Sequence, residues 1–364
     1  MSRKDRIFLE IIVGLILITS ALYFFIKPHK STWPSGRVDI DSGKRMVMGT
    51  FARVIAVAAD SNVAKGSIEA AFTEITNVDK LMSDYKEDSE ISRVNRDAFK
   101  RAVKVSKSTF EVLQKSIEYS KLSNGAFDVT VGPLVDLWHT AETTKMLPTE
   151  GEMQKALSKV GYGKVLLDAN EMTVRLAAEG MRLDLGAIAK GYAADKAAEA
   201  MKKYGALGGM VAIAGDIHCF GAPPEGKEKW RIGLQDSRKT GEADDVVTGK
   251  VLLVLEMVDA AVSTSGNYQR FAVIEGRRYS HIIDPKSGRT SEELSSVTVI
   301  SQNALEADAL ATAVTVMGAE KGLALIEKIP QAGSTSSPRA EAILVTSPPQ
   351  YKLIKSSGAE KFIE

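Results

Sequence analysis

Asp308 and Thr312, in LEADALATAV, stand four residues apart, so on a helix they share one face. A carboxylate and a hydroxyl placed this way suit a hard cation such as Mg²⁺, which takes oxygen ligands and keeps waters or phosphate oxygens. The same pair also fits an exposed acid favoured by the helix dipole and a threonine that only packs. In RLDLGAIAKGYAAD, Asp184 ends an expected strand, Gly186 turns the chain, and Lys190 follows at the head of a helix. Backbone N–H groups and an ammonium converge there, which suits an anion. The spacing is not that of a P-loop lysine, and a strand–helix connection with a solvated lysine fits equally. NGAFDVTVGPLVDLW offers Phe127 as an aromatic face and Asp128 as an acceptor, or else a hydrophobic loop anchored by Phe127 and Trp138. RYSHIIDPKSGRT carries His281, one of four histidines. It is either a base near neutral pH or a strand residue ahead of an Asp284-Pro285 turn completed by Gly288. Met48 in VMGTFARV and Tyr85 in MSDYKEDSEISRVN read, alone, as packing residues.

These residues need elements to hold them. FARVIAVAA alternates as a strand. Ser61 then opens a helical pattern with Ile68, Phe72, Ile75, Val78 and Met82 on one face. Ser108 and Glu111 have the spacing of a capping box for a second helix, stopped by Asn124-Gly125. MTVRLAAEGMRLDLG reads as two short strands around an Ala-Glu-Gly turn, and AIAKGYAADKAAEAMKKYG as a helix ended by Gly205. Further strands are expected at 208–219, 250–257, 270–275 and 294–301. Asn303 and Glu306 would cap a helix to Gly318, GLALIEKI would form another, QAGSTSSPR a loop and EAILVTS a late strand. Hairpins mixed with helices indicate an α+β fold, not a regular βαβ array.

The 364 residues carry 47 Lys+Arg against 46 Asp+Glu. That near balance, with no basic block interleaved with aromatics, argues against a nucleic-acid binder. Cys219 is the only cysteine, which excludes an intrachain disulfide and a cysteine-based metal site. Ile7–Ile26 is apolar apart from Glu10 and a few small polar residues, and as a helix would be about 30 Å long, enough to span a bilayer. Arg3, Lys4 and Arg6 precede it and favour a cytoplasmic N-terminus. The expected organisation is an anchor over 1–26, a Pro/Gly/Ser-rich tether over 27–44 and a domain over 45–364 on the far side of the inner membrane. A cleaved signal peptide is the alternative.

No single motif decides the function, but their order does. MGT, MSDYKEDSEISRVN, GAFDVTVGPLVDLW, LDLGAIAKGYAAD, AGDI, STSGNY, SHIIDPKSG and EADALAT together resemble the ApbE family, the FAD:protein FMN transferases. The resemblance implies an α+β domain of mixed, largely antiparallel sheets with packed helices. It implies a Mg²⁺-dependent enzyme that cleaves FAD, joins FMN through a phosphoester to a threonine of an acceptor protein and releases AMP. Acceptors in the family include flavin subunits of quinone reductases and Rnf-type complexes. By similarity, Met48, Tyr85, Ala126, Phe127, Asp128, Asp184, Lys190 and Ile283 would contact FAD. The Ala187 carbonyl, Asp308 and Thr312 would hold Mg²⁺, and His281 would be the base for the acceptor hydroxyl. Two departures stand out. This chain has Ala212 and Ala214 where the family often has Asn and Gly, and Ala311 where some members have a further aspartate. A hydrolase releasing FMN and AMP, or a membrane-tethered flavin binder without catalysis, would share most of these features.

Overall fold

The structure, a computed structural model, describes residues 33–237, 250–267, 271–329 and 340–364. The anchor expected over 1–26, the first part of the tether (27–32) and the QAGSTSSPR loop lie outside them. Gly36–Glu364 forms one of two units into which the chain divides, and the described fold lies almost wholly within it.

β1 (Val38–Val47) and β2 (Thr50–Ala58) form a hairpin. Its turn, Met48-Gly49, has positive φ at both residues (48° and 67°), as a tight hairpin needs. Residues 38–44 therefore belong to the sheet, not to the tether expected over 27–44. α1 (Ser61–Met82) is capped by Asp60, one residue before the expected Ser61, and buries Ile68, Phe72, Ile75, Val78 and Met82 as their spacing predicts. After α2 (Glu90–Asp97) and β3 (Val103–Lys104) comes α3 (Lys107–Leu122). Its cap is Ser106, whose hydroxyl accepts from Thr109 N, and not Ser108. Glu111 instead accepts from the Tyr192 hydroxyl. Positive φ at Asn124 and Gly125 ends the run. α4 (Gly132–Thr144) occupies a stretch expected as loop, with Pro133 in its first turn. α5 (Glu150–Leu157) follows.

β4 (Val165–Asp168) and β5 (Thr173–Leu176) form a small sheet with β3, in the order β3-β5-β4. The expected MRLDL partner strand is absent; that segment makes a single bridge, Arg182 to Val131. α6 (Ala189–Tyr204) ends at Gly205, φ 108°. The stretch 208–219 is a hairpin of β6 (Gly208–Ile213) and β7 (Asp216–Gly221). β8 (Trp230–Gln235) pairs with β9 (Val251–Met257), β10 (Ala260–Gly266) joins the main sheet, and β11 (Phe271–Ile274) pairs with β12 (Arg277–Ser280). β13 (Leu294–Ser301), α7 (Ala304–Lys328), β14 (Glu341–Thr346) and β15 (Leu353–Lys355) complete the fold. Gly318, at φ 77°, breaks α7 where two helices were expected.

The main sheet runs β1-β2-β6-β7-β10-β13-β14-β15 with every neighbour antiparallel. α1 packs on β1 and β2, α6 on β6 and β7, and α7 on β10 and β13, with α6 between α1 and α7. β13 is buried along its whole length, so both faces of the sheet are covered there. α7 is long and apolar enough to cross a bilayer, but Leu305, Ala309, Leu310, Ala313 and Val314 are buried in the core against the sheet. It is a core helix.

Candidate functional site

Three elements meet at Lys190. It is the second residue of α6, Asp216 is the first of β7, and Asp308 lies in the second turn of α7. The Lys190 ammonium donates to Gly186 O at 2.9 Å and Asp308 Oδ2 at 3.2 Å, and sits 2.9 Å from Asp216 Oδ2. Gly191 N also donates to Asp308 Oδ2, and Ser263 of β10 donates to Asp216 Oδ1. Both carboxylates are almost fully buried (side chains 4% exposed), whereas the lysine is about a quarter exposed (27%).

Burial, then the charge of Asp216, pushes the Asp308 carboxyl up to about 7, against the opposing pull of Lys190. Burial alone would lower the lysine. The two carboxylates outweigh it and raise the ammonium above its ordinary range. A carbonyl and two carboxylates around one cationic centre are the oxygen donors a hard cation takes. A buried carboxyl raised this far is also one that an added positive charge would stabilise. Thr312 lies one turn beyond Asp308 on α7, and Ala187 follows the carbonyl already facing Lys190; both are half-buried. These residues fit Mg²⁺. Among the described residues no three His, Cys, Asp or Glu side chains gather as a metal cage, so the site suits an ion that retains water. Ala311 is fully buried, leaving α7 without a second carboxylate at that position.

Asp184 fixes the turn before α6. Its carboxylate accepts from Gly186 N at 2.8 Å, and its own N donates to Val129 O at 2.8 Å. Burial, with the nearby Asp84 charge, raises its carboxyl pKa. Val129 belongs to the loop holding Ala126, Phe127 and Asp128, so that loop and the Lys190 turn are tied together. Asp128 accepts from Thr130 N, Thr130 Oγ1 and Tyr162 N. Its two oxygens already serve the loop, and burial raises its pKa despite those bonds. The Phe127 ring is 2% exposed within the main core. The expected aromatic face is covered by that core.

Tyr85 is 91% exposed. Its neighbour Asp84 is ion-paired with Arg182, which also holds Asp136. Met48 is half-buried at the β1–β2 turn. Beside that hairpin, Ala214 N donates to Phe51 O at 3.0 Å. Ala214 itself sits at φ 51°, a left-handed conformation that glycine adopts freely. His281 is exposed, just beyond β12. Ile283, 7% exposed, packs with Leu134, Ala156 and Val160. Trp138 of α4 donates to Gly288 O at 2.8 Å, and a Cβ on Gly125 would lie 3.5 Å from the Lys286 side chain. The 281–288 stretch is thus seated on α4 and beside the Ala126–Asp128 loop. A groove of about 400 Å³ between α4, α5 and Arg182 contains none of these expected residues.

Sequence reasoning did not place Asp216 or Ser263 in the site. Each lies in a short motif, AGDI or STSGNY, with no local spacing to single it out. Only the β7–β10 register, which sets Ser263 opposite Asp216, joins them.

The fold and cluster define an α+β protein with an oxygen-lined cationic site at the head of a helix. Residues 48–334 match the ApbE family, and the chain belongs to that family. It is 32% identical over 308 residues to the FAD:protein FMN transferase of Treponema pallidum, covering 81% of this chain and 83% of that one. To the FAD:protein FMN transferase of Escherichia coli K12 it is 29% identical over 353 residues, covering 94% and 98%. Among solved structures, the ApbE protein of Thermotoga maritima superposes with a TM-score of 0.77 at 30% identity, over 90% of this chain and 99% of that one. The flavin transferase ApbE of Vibrio cholerae superposes at 0.74 and 29% identity, over 90% and 99%.

Proposed function

We propose that this protein transfers FMN from FAD to a threonine hydroxyl of an acceptor protein, in a Mg²⁺-dependent reaction. The observation that carries the reading is the Lys190–Asp216–Asp308 cluster at the head of α6 in a chain of the ApbE family. The threonine oxygen attacks the FMN-side phosphorus. The bond from that phosphorus to the bridging oxygen breaks, AMP leaves with that oxygen, and the hydroxyl proton passes to His281. Asp308, Thr312 and the Ala187 carbonyl would hold Mg²⁺, which when bound neutralises pyrophosphate charge and stabilises the leaving oxygen. Lys190 adds a fixed positive charge, and the N–H groups after Gly186 add donors aimed at the phosphates. The Asp184 N–H bond to Val129 O keeps the two loops of the binding wall in register, and the Asp128 carboxylate holds its own loop through Thr130 and Tyr162 N. Ile283 and the backbone at Ala126–Phe127 would line that wall, and Met48 and Tyr85 would contact FAD from their own turns.

The acceptors that suit this chemistry are flavin-carrying subunits of membrane quinone reductases and Rnf-type complexes. An anchor over Ile7–Ile26 would hold the domain beside them on the periplasmic side of the inner membrane. The test is mass spectrometry of a purified acceptor subunit after incubation with the full-length protein, FAD and Mg²⁺. The expected product is one FMN on a threonine, with AMP released. Free FMN and AMP without a modified acceptor would make the protein a hydrolase, and uncleaved FAD would make it a binder.

A further inference from the structure

A second polar junction lies behind the Lys190 cluster, built from the same three elements. Asp195 of α6 places Oδ1 2.6 Å from His218 Nδ1 of β7. The same oxygen accepts from Ala304 N at 2.7 Å, and Oδ2 accepts from Leu305 N at 3.0 Å, both in the first turn of α7. The side chains of His218 and Asp195 are only 11% and 13% exposed.

The two junctions are in register. From Lys190 to Asp195 is five residues of helix, about 7.5 Å. From Asp216 to His218 is two residues of strand, about 7 Å, on one face of β7. From Asp308 back to Ala304 and Leu305 is about one helical turn, roughly 5 Å. Between the junctions α6 and α7 approach so closely that a Cβ on Gly191 would meet Ala304 O at 2.2 Å. Each of the three elements therefore gives one group to the Lys190 cluster and one to the Asp195 tie. Asn303 already caps α7 through Glu306 N, so Asp195 adds a cross-link between elements to an end that is already capped.

We infer that Asp195 and His218 are positioning residues that hold Asp308 at the distance from Lys190 and Asp216 needed to accept a divalent cation. The inference rests on the reading of Asp308 as a cation ligand. Calorimetric titration of Mg²⁺ into the full-length protein, wild type against Asp195→Ala, Asp195→Asn and His218→Gln, tests it. The Mg²⁺ concentration for half-maximal FMN transfer and the KM for FAD are read alongside. Asp195→Ala is expected to weaken Mg²⁺ about ten-fold or more in both measurements, as loss of a supporting residue around a metal site does, with KM for FAD changing less than about two-fold. Asp195→Asn keeps one oxygen for the α7 amides and is expected to recover part of the loss. A folded Asp195→Ala protein with wild-type Mg²⁺ affinity overturns the inference. Should that variant fail to fold, the other two decide. A shift of about three-fold or more at unchanged melting temperature supports positioning, and wild-type affinity in both overturns it. A wild type that binds Mg²⁺ yet transfers no FMN removes the proposed reaction and leaves the positioning test standing.

Discussion

A threonine hydroxyl is a weak nucleophile at neutral pH and needs a neighbouring base. His281 is exposed, yet the backbone on either side of it is held. Ser280 N donates to Glu292 at 2.9 Å and Ser291 N to Ile282 O at 2.8 Å. A ring on a fixed backbone and open to solvent suits a group that must meet an incoming protein. His281→Ala is expected to slow FMN transfer by about 10²–10⁴-fold with FAD affinity unchanged, read by single-turnover flavinylation beside an FAD fluorescence titration. An undiminished rate would show that the proton goes elsewhere. The convergence of Lys190 on Asp308 was legible in part, because each sits in a motif whose helical spacing is local. Asp216 was not, since the bonds that involve it come from α6 and β10, across the sheet. Phe127 was left open between aromatic face and hydrophobic anchor, because an aromatic after Asn-Gly can turn either way; its ring lies in the main core.

α6 and α7 carry the cluster, and their crossing is set by one residue. A Cβ at Gly191 would lie 2.2 Å from Ala304 O and 2.8 Å from Leu305 N. Both are backbone atoms, so no side-chain rotation can relieve the clash. Gly191→Ala must push the head of α7 away from α6, lengthening the Gly191 N bond to Asp308 and the Asp195 bonds to Ala304 and Leu305. The expected cost is about 1–3 kcal/mol, a fall in melting temperature of several degrees in thermal denaturation. An unchanged melting temperature would mean that the crossing is looser than described. Elements with a sustained helical period, α1 and α6 above all, were readable, with α1 and α3 capped one and two residues early because Asp60 and Ser106 compete with the nearby serines. α4 was missed because Gly132-Pro133 reads as a breaker, although proline in the first turn is also a helix start. β8 and β10 take their strand character from partners distant along the chain, whereas β12 closes on β11 through the two-residue Glu275-Gly276 turn.

At the scale of the whole chain, where the folded domain begins after the expected anchor is a physical question about β1. The sequence suggested a tether to residue 44, since Asp39, Asp41, Ser42 and Gly43 have little strand character. In the fold, Val38 to Asp41 pair with Ala58 to Ile55 of β2, and Arg53 bonds the Asp41 carboxylate. Just upstream, the buried Arg37 donates to Pro223 O at 3.0 Å and Pro224 O at 3.3 Å. A chain starting at Trp33 keeps all of these; one starting at Arg45 loses them and leaves half of β2 as an unpaired edge, open to aggregation. The Trp33 start is therefore expected to transfer FMN to a soluble acceptor as fast as the full chain does, and to leave the membrane fraction for the soluble one. The Arg45 start is expected to melt several degrees lower and to aggregate, seen by thermal denaturation and light scattering. Equal stability of the two would return residues 38–44 to the tether, and a full-length chain recovered in the soluble fraction would remove the anchor. The two outcomes are independent, because one depends on strand pairing within the domain and the other on the hydrophobicity of Ile7–Ile26.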